Sequence, residues 1–240
     1  MLDRWICRKA NDDFKGDYDP EWAIASTSYE NPGKKQLNVI FPPWHGGGRV
    51  IDLLGRRLAI GSSVLRYEFH DRILEPDIEN VQMSFNKIAG RVSDDLDHIT
   101  AKSNYEKVHL VGLSLGNVAL AKTARMFDDF DTVTMVTAAT ILSDAMWEGA
   151  RTQNIRQVFE EQGVTQRQLR VAWHDLAPLT HVKVFREKQV HTVVSRSDTI
   201  IPAYLQSQMS DRLRMAGANV KETIKPLGHV ATLTSFCIKG

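Results

Sequence analysis

The chain has 240 residues, of which 42% are hydrophobic and 25% charged, and this composition excludes a disordered or fibrous protein. The 30 Lys and Arg residues nearly balance the 29 Asp and Glu residues, for a formal net charge of +1. This balance supplies neither the broad basic surface that nucleic-acid binding needs nor a polybasic patch for an anionic membrane. No run approaches the ~18 apolar residues of a membrane-spanning helix, and residues 1–11 lack the apolar core of a signal peptide.

The two cysteines, Cys7 and Cys237, lie at opposite ends of the chain. We therefore expect neither a zinc site nor a disulfide framework. The sequence predicts a cytoplasmic protein with no integral membrane segment, no nucleic-acid partner and no metal site. The composition leaves the oligomeric state open.

Strands and helices alternate in the first half of the chain after a polar stretch of about 35 residues, in which only 22–26 indicates a short strand. Apolar runs and β-branched residues predict strands, and apolar residues three or four positions apart predict an amphipathic helix. The predicted elements are a strand over 37–41, a strand over 64–69, a helix over 80–102, a strand over 107–113, a helix over 116–127 and a strand over 132–137.

The alternation is interrupted after Thr140 and then resumes. Residues 143–162 look mainly helical and end at Gly163; a second helix begins at Thr165, with Gln168 in the capping-box position. The alternation resumes with a strand over 190–195, a helix over 202–215 with Pro202 in its first turn, a strand over 220–225 and a short helix after residue 229. This order predicts a single α/β domain over 1–240, with a mostly parallel central sheet flanked by helices. Residues 141–188 are interpreted as an inserted helical lid or cap.

The strongest local motif is Gly-Leu-Ser-Leu-Gly at residues 112–116. It lies between an apolar strand and a helix of small residues, which is the setting of a nucleophile elbow. Glycines two positions either side of Ser114 allow the tight turn that lifts the serine hydroxyl above the carboxyl edge of the sheet. The N–H of Leu115 then lies at a helix N-terminus, where it can receive a developing oxyanion. The alternative is a plain glycine turn.

A serine needs a base, and the base needs an orienting carboxylate. Asp198 lies in the loop after the strand at 190–195, and His229 lies in the loop after the next strand. Both loops leave the carboxyl ends of predicted parallel strands, at the same edge as Ser114. On its own, Asp198 also suits a turn or helix cap, and His229 a surface loop. The order Ser, Asp, His at successive strand ends favours a catalytic triad.

A fourth segment follows the strand at 37–41, where residues 41–48 read Phe-Pro-Pro-Trp-His-Gly-Gly-Gly. Three consecutive glycines let backbone N–H groups approach a bound carbonyl oxygen. A phosphate-binding loop is disfavoured because no Gly-Lys-Ser/Thr follows. A flexible glycine turn is the other interpretation.

On these four segments the chain resembles the α/β-hydrolase fold superfamily over about residues 37–238. The resemblance implies that Ser114 is the nucleophile, Asp198 the acid and His229 the base. It also implies an oxyanion hole formed by Leu115 and one donor from the loop, for which Trp44, Gly46 and Gly47 remain candidates. The chain departs from the family at Asn117, where many lipases and esterases have glycine. The His-Gly-Gly-Gly loop is similar to that of hormone-sensitive-lipase-like esterases, but this chain lacks their long N-terminal cap, and we do not assign that subfamily.

The predicted activity is hydrolysis of small-molecule carboxylic esters through an acyl-enzyme, with no metal or organic cofactor. Ester is preferred over amide by family analogy. Lipase, thioesterase and C–C hydrolase activities would use the same residues, and a non-catalytic binding protein is the alternative of another class. Dehalogenases and epoxide hydrolases are disfavoured because they use aspartate at the position of Ser114. His45, Trp147 and Trp173 are the candidate substrate-binding residues, although both tryptophans also suit burial on the inner face of the lid.

Overall fold

The structure, a computed structural model, describes residue 21, residues 23–45 and residues 48–239. Seven strands form one sheet in this part of the chain. The strands are β1 (Ile24–Glu30), β2 (Gln36–Phe41), β3 (Ser63–Phe69), β4 (Lys107–Leu113), β5 (Thr132–Val136), β6 (Gln189–Ser195) and β7 (Asn219–Lys225). They lie in the order β1-β3-β2-β4-β5-β6-β7.

The sheet is mostly parallel, which confirms the predicted fold class. Only β1 runs antiparallel to its neighbour β3, and strands β2 to β7 pair in parallel. The chain steps from β2 to β3 on one side and then returns to place β4 on the other side of β2. The connections after β2 and β4 therefore diverge and leave a crevice at the carboxyl ends of these two strands, which is where open α/β sheets bind ligands.

Helices cover both faces of the sheet. They are α1 (Gly48–Leu58), α2 (Ile78–Lys102), α3 (Gly116–Met126), α4 (Leu142–Glu148), α5 (Gln153–Glu161), α6 (Gln166–Ala172), α7 (Ala203–Met215) and α8 (His229–Lys239). Buried residues of α2, α3 and α7 pack on one face in the larger hydrophobic core, and buried residues of α1 and α8 pack on the other. In the part of the chain that is described, no helix combines the length and apolar character needed to cross a membrane.

Two elements near the N-terminus differ from the sequence prediction. The first strand covers Ile24–Glu30 rather than 22–26, and residue 22 lies outside the described residues. Helix α1 was not predicted at all, because the glycine-rich segment in which it begins was interpreted as a loop or turn. Among the described residues of α1, Ile51, Leu54 and Gly55 are buried. The prediction that Pro202 lies in the first turn of a helix is also wrong by one position, since Pro202 is the N-cap of α7.

The segment 141–188 is helical, as predicted, but is divided into shorter pieces. Helices α4, α5 and α6 are followed by 3₁₀ turns at His174–Leu176 and Pro178–Phe185. The capping box at the start of α6 is confirmed, with Thr165 and Gln168 each bonding the other's backbone. Ile155, Phe159 and Phe185 belong to the larger hydrophobic core. The segment thus packs into the domain, and its action as a lid stays a prediction.

A polar row crosses the α1/α8 face near the amino ends of the strands. His109 is hydrogen-bonded on both ring nitrogens, to Asn38 Oδ1 at 3.1 Å and Thr134 Oγ1 at 2.9 Å. Because Asn38 Oδ1 can only accept, Nδ1 carries the proton and Nε2 accepts from the threonine hydroxyl. Burial, together with the nearby His191, lowers the pKa of His109 to about 4. The imidazole is therefore neutral in the folded protein at neutral pH.

This neutral histidine makes folding stability depend on pH. The pKa of His109 is lower when the protein is folded, so the unfolded chain binds more protons below pH 6.5 and stability falls as the pH decreases towards 4. We expect the free energy of unfolding, measured by urea titration, to fall by about 2 kcal/mol more in the wild type than in His109→Gln between pH 7.5 and pH 5. The glutamine variant keeps hydrogen-bonding groups but cannot titrate. Parallel pH profiles for the two proteins would contradict this assignment.

Candidate active site

Ser114, Asp198 and His229 lie side by side at the carboxyl edge of the sheet. His229 Nδ1 lies 2.7 Å from Asp198 Oδ2, and His229 Nε2 lies 2.9 Å from Ser114 Oγ. A carboxylate can only accept, so Nδ1–H donates to Asp198 and Nε2 is left to accept the serine proton. All three residues are buried. The structure thus places the three residues in one hydrogen-bonded chain.

The turn between β4 and α3 holds Ser114 in an unusual backbone conformation. Its φ is +51°, a region that non-glycine residues adopt rarely, and its N–H donates to the Val136 carbonyl on β5 at 2.9 Å. Asn117 Nδ2 donates to the carbonyls of Ser114 and Val136, at 2.9 and 3.0 Å. The Asn117 amide thus supports the turn from inside.

The Asp198 carboxylate is fully supplied with donors. Oδ1 accepts the backbone N–H groups of Ile200 and Ile201 at 2.8 and 2.9 Å. Oδ2 accepts the Gln206 side-chain amide at 2.8 Å in addition to His229. Gln206 is itself fixed, because its Nε2 also donates to the Ile201 carbonyl and its Oε1 accepts the N–H of Ser195. The four hydrogen bonds to the carboxylate fix its orientation relative to the imidazole of His229.

His229 is positioned by the neighbouring loop. The Ser195 hydroxyl donates to the Leu227 carbonyl at 2.6 Å, and the N–H of Ser197 donates to the same carbonyl at 3.2 Å. These bonds hold the loop after β7 against the loop after β6. The sequence predicted that His229 lies in the loop before the last helix. In the structure, His229 is instead the first residue of α8. The imidazole is therefore attached to a helix that packs on the sheet.

The predicted oxyanion donors are only partly described. Leu115 immediately precedes α3, and the N–H groups of Asn117 and Val118 at the start of α3 donate to the carbonyls of Ser114 and Leu115 at 3.0 Å. Trp44 follows β2 at the crevice, and its indole Nε1 donates to the Asp71 carbonyl at 2.7 Å. Gly46 and Gly47 lie outside the described residues. The identity of the second donor stays a prediction.

Two cavities meet at Ser114. The first, of about 50 Å³, is lined almost entirely by apolar side chains: Trp44, Leu74, Leu115, Val118, Ala139, Leu142, Ala145, Met146, Pro178, Ile200 and Ile201, with Ser114, Asn117 and Thr152. The second, of about 130 Å³, is lined by Pro43, Trp44, His45, Ile51, Leu113, Ser114, Arg151, Ile200, His229, Val230, Leu233 and Thr234. Trp44, Ser114 and Ile200 form the boundary between them.

The predicted substrate-binding residues separate into two groups. His45 lines the second cavity, where its ring packs on Trp44 and its Nδ1 lies 3.1 Å from Asp71 Oδ1. Trp173 is instead buried in the larger core: it packs edge-on against Phe159, and its indole donates to the Ile78 carbonyl. Trp147 packs on the same core, and neither tryptophan lines either cavity. The placement of these tryptophans at the substrate is therefore corrected: they bury the inner face of the segment 141–188.

Sequence reasoning missed Gln206, Arg151 and Ile200. Gln206 could have been found, because it falls on the buried stripe of α7 with Leu205, Met209 and Leu213, where a polar side chain needs a partner. Arg151 and Ile200 reach the site through loop geometry that has no periodic signal. Within the described residues, no cluster of three His, Cys, Asp or Glu side chains could hold a metal ion.

Comparison with known proteins finds similar folds at low sequence identity. Est1E from Butyrivibrio proteoclasticus, in complex with ferulic acid, has a TM-score of 0.63 at 15% identity, over 89% of this chain and 92% of its own. A cold-adapted esterase from an Arctic intertidal metagenomic library has a TM-score of 0.61 at 12% identity, over 88% of this chain and 82% of its own. The acylaminoacyl peptidase of Pyrococcus horikoshii has a TM-score of 0.61 at 15% identity, over 85% of this chain and 35% of the peptidase.

No protein-family model and no curated protein sequence matches the chain. The structural similarities establish its fold, which is the α/β-hydrolase fold.

The tight turn after Ser114 can be tested with a pair of glycine variants. A Cβ at Gly116 would lie 2.3 Å from the Phe41 carbonyl oxygen and 2.5 Å from that of Pro42, whereas a Cβ at Gly48 meets nothing within 4 Å. We expect Gly116→Ala to lower the free energy of unfolding by about 3 kcal/mol or more, and Gly48→Ala to change it by less than about 1 kcal/mol. Urea unfolding measures both. Equal stabilities would show that α3 is not fixed by this close approach.

Proposed function

We propose that this protein is a serine hydrolase of carboxylic esters, with Ser114 as nucleophile, His229 as general base and Asp198 as the orienting carboxylate. The observation that carries the proposal is the continuous hydrogen-bonded chain from Ser114 Oγ through His229 to a buried, four-bonded Asp198. A serine hydroxyl is a weak nucleophile on its own, and this arrangement supplies the base that activates it.

The reaction begins when Ser114 Oγ attacks the ester carbonyl and its proton passes to His229 Nε2. Asp198 keeps the imidazole in the required tautomer and stabilises its protonated form. His229 then donates that proton to the departing alcohol oxygen, which leaves an acyl group on Ser114. In the second half, water gives a proton to His229 and attacks the acyl carbonyl, which releases the acid and restores the serine.

The tetrahedral intermediate needs donors for its oxyanion. In this proposal the N–H of Leu115 supplies one, and an N–H from residues 44–47, with Trp44, Gly46 and Gly47 as candidates, supplies the other. Ser114 has a positive φ and is followed directly by Leu115 and the N-terminus of α3, which supports this role. Losing one such donor typically lowers turnover about 10²–10³-fold.

Ester hydrolysis is preferred over amide hydrolysis because two of the three compared proteins are esterases, one of them with ferulic acid bound. The peptidase shares the fold as well, so this preference is weaker than the assignment of the triad. Lipase and thioesterase activities stay as alternatives, and the binding-protein alternative predicts an unreactive Ser114. The proposed reaction needs no organic cofactor, and the cytoplasmic location predicted from the sequence is retained as part of the proposal.

Substitution of the nucleophile tests the assignment directly. We expect Ser114→Ala to abolish hydrolysis of p-nitrophenyl acetate and labelling by a fluorophosphonate probe, with an unchanged circular dichroism spectrum. Ser197→Ala removes an exposed serine hydroxyl next to Asp198 and serves as the control, which should keep both activities. Hydrolysis or labelling that survives in Ser114→Ala would overturn the proposal, and so would a wild-type protein that does not react with the probe.

The size of the apolar cavity predicts a preference for short acyl groups. On the scale where one water needs about 10–15 Å³, a cavity of about 50 Å³ has space for about four methylene-sized groups. We expect kcat/KM on p-nitrophenyl esters to be highest for C2–C4 and to fall at least about tenfold by C8, since longer chains must displace packed core residues.

The variant Met146→Ala shortens a side chain in the wall of this cavity. In this variant, the fall in kcat/KM should begin at longer acyl chains than in the wild type. An activity that rises through C12–C16 in the wild type would favour the lipase alternative.

A further inference from the structure

The two cavities beside Ser114 receive different halves of an ester, if the proposed function holds. The departing oxygen must lie within hydrogen-bonding distance of His229 Nε2 to receive its proton. His229 lines only the second cavity, together with the α8 residues Val230, Leu233 and Thr234. The alcohol half of the substrate therefore occupies the second cavity, and the acyl half occupies the apolar one next to Leu115.

The alcohol cavity is distinguished by a cation. The guanidinium of Arg151 lines it, with its Cζ 5.5 Å from the centre of the Trp44 ring. Arg151 is partly buried, and attraction to the indole face holds its guanidinium over the Trp44 ring. Arg151, Ser114 and His229 line the same cavity, so an alcohol group bound there can contact the guanidinium.

The turn that carries Arg151 is anchored to the triad loop. The N–H of Ala150 donates to the Thr199 carbonyl at 2.8 Å, one residue after Asp198. On the other side of Arg151, the Thr152 hydroxyl donates to the Met146 and Gly149 carbonyls. Gly149 also fits closely, since a Cβ there would lie 2.4 Å from the Ile200 carbonyl oxygen. These contacts fix the backbone on both sides of Arg151 relative to the site.

The described part of the lining of the two cavities carries a cation and no carboxylate, while the Asp198 carboxylate lies behind His229. Among the described residues that line the two cavities, none is Asp or Glu, and Arg151 is the one Lys or Arg. The nearby carboxylate of Asp71 bonds His45 from outside the cavity lining. His45, His229 and the Thr234 hydroxyl are the other polar side chains of the alcohol cavity, with Ser114.

We propose that Arg151 is a specificity-determining residue, which binds a carboxylate on the alcohol half of the substrate. The substrate class is then an ester of a short acid with a hydroxy acid, such as a phenolic or aliphatic hydroxycarboxylate. A guanidinium offers a fork of N–H donors that matches a carboxylate. The inference rests on the proposed function.

The experiment compares matched anionic and neutral esters. 3- and 4-Acetoxybenzoate carry the carboxylate on the leaving group, and their methyl esters have the same shape without the charge. The measured quantity is the ratio of kcat/KM for each anionic ester to that for its methyl ester. We expect Arg151→Met to lower this ratio about 10- to 100-fold for at least one isomer, the range expected for hydrogen bonds to a charged group. Arg151→Lys should retain part of the preference for the anionic ester.

Two controls separate a specific contact from a general effect. Arg167→Met removes an exposed cation from α6 and should leave the ratio unchanged. Raising the salt concentration should lower the ratio in the wild type but not in Arg151→Met. A ratio that does not change in Arg151→Met, or an equal loss on both esters, would overturn the inference; the latter would mean that Arg151 only holds Trp44 in place.

Binding to an inactive protein keeps this test independent of the proposed reaction. Calorimetry on Ser114→Ala with 3- or 4-hydroxybenzoate should show binding that is lost on adding Arg151→Met, with the methyl hydroxybenzoates unaffected. Binding of the anions that does not depend on Arg151, or no binding, counts against the inference. Failure of the proposed function has a different signature, namely a Ser114 that neither hydrolyses esters nor reacts with a fluorophosphonate.

Discussion

The close approach of the turn after β4 to the end of β2 is the constraint on which the site depends. Gly116 lies so near the carbonyls of Phe41 and Pro42 that a single added carbon would overlap them. The start of α3 is thereby held against the crevice at the point where the strand order reverses. Ser114 has to adopt a positive φ to connect β4 to a helix in that position. The strain costs of the order of 1–3 kcal/mol and is tolerated because the surrounding packing determines the turn.

The second constraint is the buried carboxylate of Asp198. A charge out of contact with water is costly unless donors surround it, and here two backbone N–H groups, one amide and one imidazole do so. Satisfying Asp198 requires the loop after β6, helix α7 and helix α8 to meet at one point. The same bonds that offset the desolvation of the carboxylate therefore orient His229, and structural and chemical demands coincide in one network.

Much of the fold, and the approach of Ser114, Asp198 and His229 to one another, could be predicted from the sequence because both have local signals. Buried strands such as Lys107–Leu113 are rich in apolar residues, and parallel strands bring the residues after them to a common edge. The positions of Ser114, Asp198 and His229 after three such strands therefore predict that the three residues lie near one another. Helix α1 was missed because it begins at Gly48, the last of three consecutive glycines, and such a run indicates a loop or turn. Trp173 was misplaced because the apolar side of an inserted helix gives no indication whether it faces a cavity or a core.

The sequence does not predict that Ser114 lies between two cavities, because the cavities are formed by contacts between distant segments. Met146 and Ala145 of α4 close the apolar cavity, while Arg151, a few residues later, reaches the other cavity across Trp44. The turn between α4 and α5 thus contributes to both sides of Ser114. Because that turn is bonded to Thr199, next to Asp198, substitutions in this segment act on the support of Asp198 as well as on the cavities. In the proposed function, substitutions that widen a cavity without disturbing Ala150 and Thr152 should therefore be the ones that preserve turnover.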